Sequence, residues 1–163
     1  SIRRQRQMCI RDRPGVVLDI VGSGWWEDQL RTYAADLGDR VIFHGHVGDD
    51  LKHALLARSD LHLMPSAKEG WGIAVVEAGQ HGVPTVGYRE AGGLRDSIVD
   101  GETGILVDDE AEFRAAVRTL VADAARRASL GDAARSRAAH YSWPETGRKF
   151  ASLLRRVVGQ PGC

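Results

Sequence analysis

Cysteine is almost missing from this chain, and the two it has, Cys9 and Cys163, lie at the extreme ends. That placement argues against a disulfide framework and for a reducing, cytoplasmic setting. Long apolar runs are missing too: nothing approaches the ~18 consecutive apolar residues that a membrane-spanning helix needs. Charge of one sign is not in excess, since 22 Lys and Arg balance 22 Asp and Glu. Five arginines and one aspartate fall in the first thirteen residues, a local +4, so the remainder carries −4. A mildly acidic body of this kind has no basic face for nucleic acid. The six histidines are scattered without ligand spacing, so neither a structural metal nor a cofactor is expected.

The length of 163 residues suits one domain with a single core. Residues 1–13, SIRRQRQMCIRDR, lack the apolar centre of a signal peptide. They resemble translated sequencing-adapter read-through, and the expectation is a non-native or disordered segment. Residues 14–158 form the expected domain, and Gly159 to Cys163 a short tail.

From Pro14 onward, strand and helix patterns alternate. Residues 16–21 are a nearly continuous apolar run ending in Gly22-Ser23-Gly24, which reads as a strand buried on both faces and entering a tight turn. Helix is expected over 25–37, strand over 41–43, and a helix capped by Asp49 or Asp50 up to residue 58. Strands are expected at 61–64, 84–88 and 104–107, with helices at 72–81 and 94–99. Two alanine-rich helices at 110–124 and 126–139 precede an amphipathic one at 143–158, with Ser142 as its N-cap and Trp143 as a packing anchor. Repeated β-α-β units of this length predict an α/β fold with a parallel, doubly wound sheet.

Ligands on such sheets bind beyond the carboxyl ends of the strands. The segments expected there are Gly22-Ser23-Gly24, His44-Gly45-His46-Val47, Ser66 to Gly72, and Gly92-Gly93. The most informative is Ser66-Ala67-Lys68-Glu69-Gly70-Trp71-Gly72-Ile73-Ala74-Val75-Val76-Glu77-Ala78. It sets two carboxylates eight positions apart around a glycine-flanked turn into an apolar helix. Glu69 and Glu77 can accept hydrogen bonds from hydroxyls, while bare N–H groups at a helix N-terminus attract phosphate. A nucleotide-sugar answers both requirements.

Taken in order, Val21-Gly22-Ser23-Gly24, Val41 to Val47, Asp60 to Ser66 with Glu69 to Glu77, Gly82-Val83-Pro84, Ala91-Gly92-Gly93-Leu94, Asp100 to Val107 and Tyr141-Ser142-Trp143 carry a resemblance. Over most of the span from Pro14 to Val158 the chain resembles the C-terminal, donor-binding domain of retaining GT-B glycosyltransferases. These are the family 4 type known as glycosyl transferases group 1. The resemblance implies a Rossmann-like half of a GT-B fold. It also implies transfer of a sugar from a nucleoside diphosphate donor to an acceptor hydroxyl, with retention and without a metal.

Carried onto this sequence, the resemblance makes Glu69 the catalytic candidate, close to the donor sugar's hydroxyls, and Glu77 the acceptor of hydrogen bonds from the ribose. Gly70, Trp71, Gly72 and Ile73 would offer backbone N–H groups to sugar and diphosphate. His46 and Val47 would touch the base through backbone atoms, and Gly22 and Gly24 would line the donor cleft. Gly72 and Gly92-Gly93 are equally explained as structural turns, and the Trp71 ring as packing. The remaining histidines, His44, His53, His62, His81 and His140, receive no chemical role.

In similar enzymes an arginine and a lysine ahead of the first strand also grip the diphosphate, and this chain has no counterpart to them. The expected partners are therefore a nucleoside diphosphate sugar and a missing N-terminal GT-B domain that would bind an unknown acceptor. The family resemblance allows peripheral association with the inner membrane through that missing domain. The isolated chain is expected to be inactive in transfer. The alternatives are a GT-B-shaped nucleotide-sugar epimerase or phosphorylase, and a non-catalytic nucleotide-sugar binding module.

Overall fold

The computed structural model describes residues 15–158. The arginine-rich segment 1–13, the tail and both cysteines lie outside the described residues. The first βα unit is β1 (Leu18–Val21) followed by α1 (Glu27–Ala34), which a 3-10 turn (Ala35–Arg40) leads into β2 (Val41–Gly45). Next come α2 (Asp49–Ala57), β3 (His62–Met64), α3 (Ile73–Gln80), β4 (Thr85–Tyr88), α4 (Leu94–Ser97) and β5 (Gly104–Val107). Three helices complete the chain: α5 (Glu110–Ala122), α6 (Ala124–Ala138) and α7 (Trp143–Val158).

Every strand pairing is parallel, as β-α-β alternation requires. The hydrogen bonding falls into two sheets, β1-β2 and β3-β4-β5. In the larger sheet, Met64, Gly87 and Leu106 lie in one row across the three strands. Helices cover both of its faces because β5 alternates: Val107 joins Val86, Phe113, Val117, Leu120 and Leu130 under α5 and α6, whereas Leu106 joins Val75, Leu94 and Ile98 under α3 and α4. Apolar residues that alternate into two cores are what make this part doubly wound.

Three expectations are corrected. The strand at β1 is not buried on both faces: Val17 and Val21 are exposed. Among the described residues β1 pairs only with β2, so its other edge lacks the neighbour that a buried strand would have. Neither Asp49 nor Asp50 caps α2; Gly48 occupies the cap position and both aspartates lie in the first turn, where carboxylates complement the helix dipole. Ser142 does accept a hydrogen bond from the Glu145 N–H, but Trp143 is 89% exposed and anchors nothing. Along α7 no residue is buried, and none of its apolar residues joins either core.

Candidate active site

Sequence dictates a sharp entry into α3. Gly72 adopts φ 81°, a conformation that a side chain resists, and it stands at the helix's N-cap without a side-chain cap. A Cβ at Gly72 would also meet Leu94 and Ser97, each at 2.9 Å. Gly70 and Trp71 run directly before it, against Gly93, whose missing Cβ leaves room for the Gly70 carbonyl. The Glu69 N–H donates to Ala91 O at 2.7 Å and the Gly93 N–H to Glu69 O at 3.1 Å, so two short backbone bonds fix the Glu69 loop beside Gly92-Gly93. The Gly92-Gly93 turn therefore has a packing role. Trp71 packs as well, edge to face on Tyr141 with ring centroids 4.8 Å apart.

Beyond this turn, Val75, Val76, Ala78 and Gly79 of α3 are buried and Ile73 is exposed at the helix start. Glu77 faces α2, where the Lys52 ammonium donates to its Oε1 at 2.7 Å and to Asp49 Oδ1 at 2.9 Å. Both bonds raise the Lys52 pKa above its ordinary value, the one to Glu77 most, and the pairing lowers that of Asp49. Beside it, His53 Nδ1 and His81 Nε2 meet at 2.9 Å, a second contact between α2 and the C-cap of α3. Beneath Glu77, His62 bonds the Thr85 hydroxyl, and burial pushes its pKa down to about 4 against the opposing pull of the Glu77 charge.

His46 and Val47 lie in the loop between β2 and the start of α2. Gly22 and Gly24 follow β1: the Gly22 N–H donates to Gly45 O, at the end of β2, at 2.7 Å, and Gly24 O accepts from the Glu27 N–H. The fold therefore brings Glu69, Gly70, Trp71, Gly72 and Ile73 into one loop-to-helix turn, and it joins Glu77 to the α2 side through Lys52. No hydrogen bond among the described residues ties Gly22 or Gly24 to residues 69–77.

Sequence reasoning missed Lys52. It is one of only three lysines and sits three residues after Asp49, but its partner Glu77 is 25 positions away, beyond any local pattern. The histidines that received no role have structural partners. His44 bonds Asp19 at 2.6 Å, Asp19 also pairs with Arg58, and His140 bonds Ser136 O.

A parallel α/β domain with an uncapped helix N-terminus, and a carboxylate just over one turn into that helix, is the arrangement that the resemblance implies for the donor-binding half of a GT-B glycosyltransferase. Comparison with known proteins makes the assignment definite: the profile of the family "Glycosyl transferases group 1" matches residues 2–137, and the chain belongs to that family. Among curated relatives it is 35% identical to a GDP-mannose-dependent alpha-(1-6)-phosphatidylinositol monomannoside mannosyltransferase of Mycolicibacterium smegmatis, over 86% of this chain and 40% of that protein. It is 34% identical to a D-inositol 3-phosphate glycosyltransferase of Salinispora tropica, over 96% of this chain and 34% of the relative. Among solved structures, Anabaena HepE in complex with UDP and glucose superposes with a TM-score of 0.77 at 26% identity, covering 93% of this chain and 45% of that one. The chain thus spans less than half the length of these proteins. No helix among the described residues is long and apolar enough to cross a membrane.

Proposed function

We propose that this chain is the donor-binding part of a retaining glycosyltransferase, holding a nucleoside diphosphate sugar for transfer to an acceptor hydroxyl. The observation that carries the reading is the position of Glu77. Its Oε1 is held by Lys52, and its Oε2 has no protein hydrogen-bond partner among the described residues, which leaves an acceptor for ribose hydroxyls. The start of α3 supports the other end of the ligand. Its first N–H groups lack a side-chain cap and face negative charge favourably, so a leaving diphosphate is stabilised there without assigning a metal.

In this reading Glu69 acts at the donor sugar, and His46 and Val47 border the base. We assign acceptor recognition to polypeptide beyond these 163 residues, in keeping with the greater length of the relatives. The relatives' names include GDP-mannose, and a neighbour's structure holds UDP, so the base is the first thing to determine. Titration of the 15N-labelled chain with UDP, GDP and ADP, free and as sugar conjugates, tests the proposal. Amide shifts at His46, Gly72 and Glu77 with one nucleotide support it. A folded chain silent to all three at millimolar concentration counts against it, and robust transfer by the chain alone would overturn the assignment of the acceptor site.

A further inference from the structure

Two helices that are remote in sequence meet through charged and polar side chains. On α2, Lys52 and His53 are adjacent; Glu77 lies on α3, and His81 stands at that helix's C-cap one turn further on. Lys52 meets Glu77 at 2.7 Å while His53 meets His81 at 2.9 Å, so both pairs close over the same seam. The Lys52–Glu77 bridge is neither a loose surface pair nor a fully buried one: its side chains are 28% and 24% exposed. A bridge in that regime is only partly screened, and the Asp49 carboxylate holds the ammonium from the other side at 2.9 Å.

We propose that Lys52 is the positioning residue for Glu77, orienting its carboxylate so that one oxygen is spent on the ammonium and the other is presented to the ribose hydroxyls of the donor. This inference rests on the proposed role of Glu77 as a ribose acceptor. The geometry follows from valence. Glu77 leaves α3 on a chain of three rotatable bonds, and without a partner its carboxylate would sample several rotamers. Lys52 fixes one of them before the ligand arrives, which lowers the ordering cost of binding. Three ammonium protons are available and two are used, on Glu77 and Asp49. The histidine pair holds α2 against α3 in the register that lets Lys52 reach. His62, kept neutral beneath the seam, adds no competing cation.

The test compares affinities of UDP, GDP and ADP with those of their 2′,3′-dideoxy counterparts, for the unaltered chain, Lys52→Met and Lys52→Arg, with thermal melting as the check on folding. The unaltered chain is expected to prefer the ribonucleotide by roughly tenfold or more. Lys52→Met should cut that preference to within about twofold, whatever the change in dideoxynucleotide affinity, and Lys52→Arg should restore it in part. A structural role alone would weaken both ligands equally. If the unaltered chain shows the preference and Lys52→Met keeps it, Lys52 does not position Glu77 and the proposal is overturned while the ribose reading survives. If the unaltered chain binds both nucleotide forms equally well, the ribose reading itself fails, and the role proposed for Lys52 fails with it.

Discussion

Gly93 and Gly70 meet backbone to backbone: a Cβ on Gly93 would stand 2.1 Å from the Gly70 carbonyl oxygen and 2.5 Å from Trp71 Cα. Gly93 has an ordinary helical φ of −61°, so space and not backbone strain demands glycine. Gly93→Ala is therefore expected to push the 69–72 turn away from α4. The cost should be about 1–3 kcal/mol, the range for overpacking, with nucleotide affinity falling alongside. Urea unfolding and nucleotide titration on the same variant check this, and an unperturbed stability would contradict the close approach.

Gly131 offers the matching control away from the site. A Cβ there would lie 2.0 Å from Gly82 O, where α6 crosses the turn after α3. Gly131→Ala should lower stability by a similar amount while leaving the ratio of ribonucleotide to dideoxynucleotide affinity unchanged. Measuring both variants separates general loosening from damage to the site.

A third expectation concerns the start of α5. Asp109 accepts from the Glu112 N–H at 2.9 Å, the helix cap, while Glu112 reaches back past it to accept from the Asp108 N–H at 2.9 Å, a variant of the capping box over Asp-x-x-Glu. Asp109→Ala should cost about 1 kcal/mol, read as a shift in the urea midpoint with an unchanged slope.

Much of this architecture is legible in the sequence because its signals are local. Residues 104–107 form the expected strand, and the glycine turn into α3 begins where Gly-Trp-Gly stands. Features set by distant contacts are not legible. Lys52 acquires meaning from Glu77, 25 positions on, and Gly93 from Gly70. Trp143 reads as an anchor by residue type, but in the fold it is exposed and joins neither core. Pattern also suggests two buried faces for β1, because an apolar run cannot tell how many neighbours a strand will have.

His62 makes stability depend on pH. Its folded pKa, about 4, lies below the ordinary value of 6.5, because burial disfavours the imidazolium. The unfolded chain therefore binds a proton that the folded one refuses. His62 does not oppose folding above pH 6.5, and stability falls as pH drops from there toward 4, by up to about 3 kcal/mol. Urea midpoints between about pH 7.5 and 4 should show a smaller decline for His62→Asn than for the unaltered chain. Parallel declines would remove His62 as the cause.

The most direct test of the whole account is the affinity of the preferred nucleoside diphosphate for the unaltered chain and for Glu77→Ala. Loss of a hydrogen-bonded charged acceptor predicts binding weaker by about 1.5–3 kcal/mol, or roughly 10- to 150-fold, in a variant that melts normally. Equal affinity in the two proteins would contradict the assignment of Glu77 to the donor, and with it the donor site built around α3.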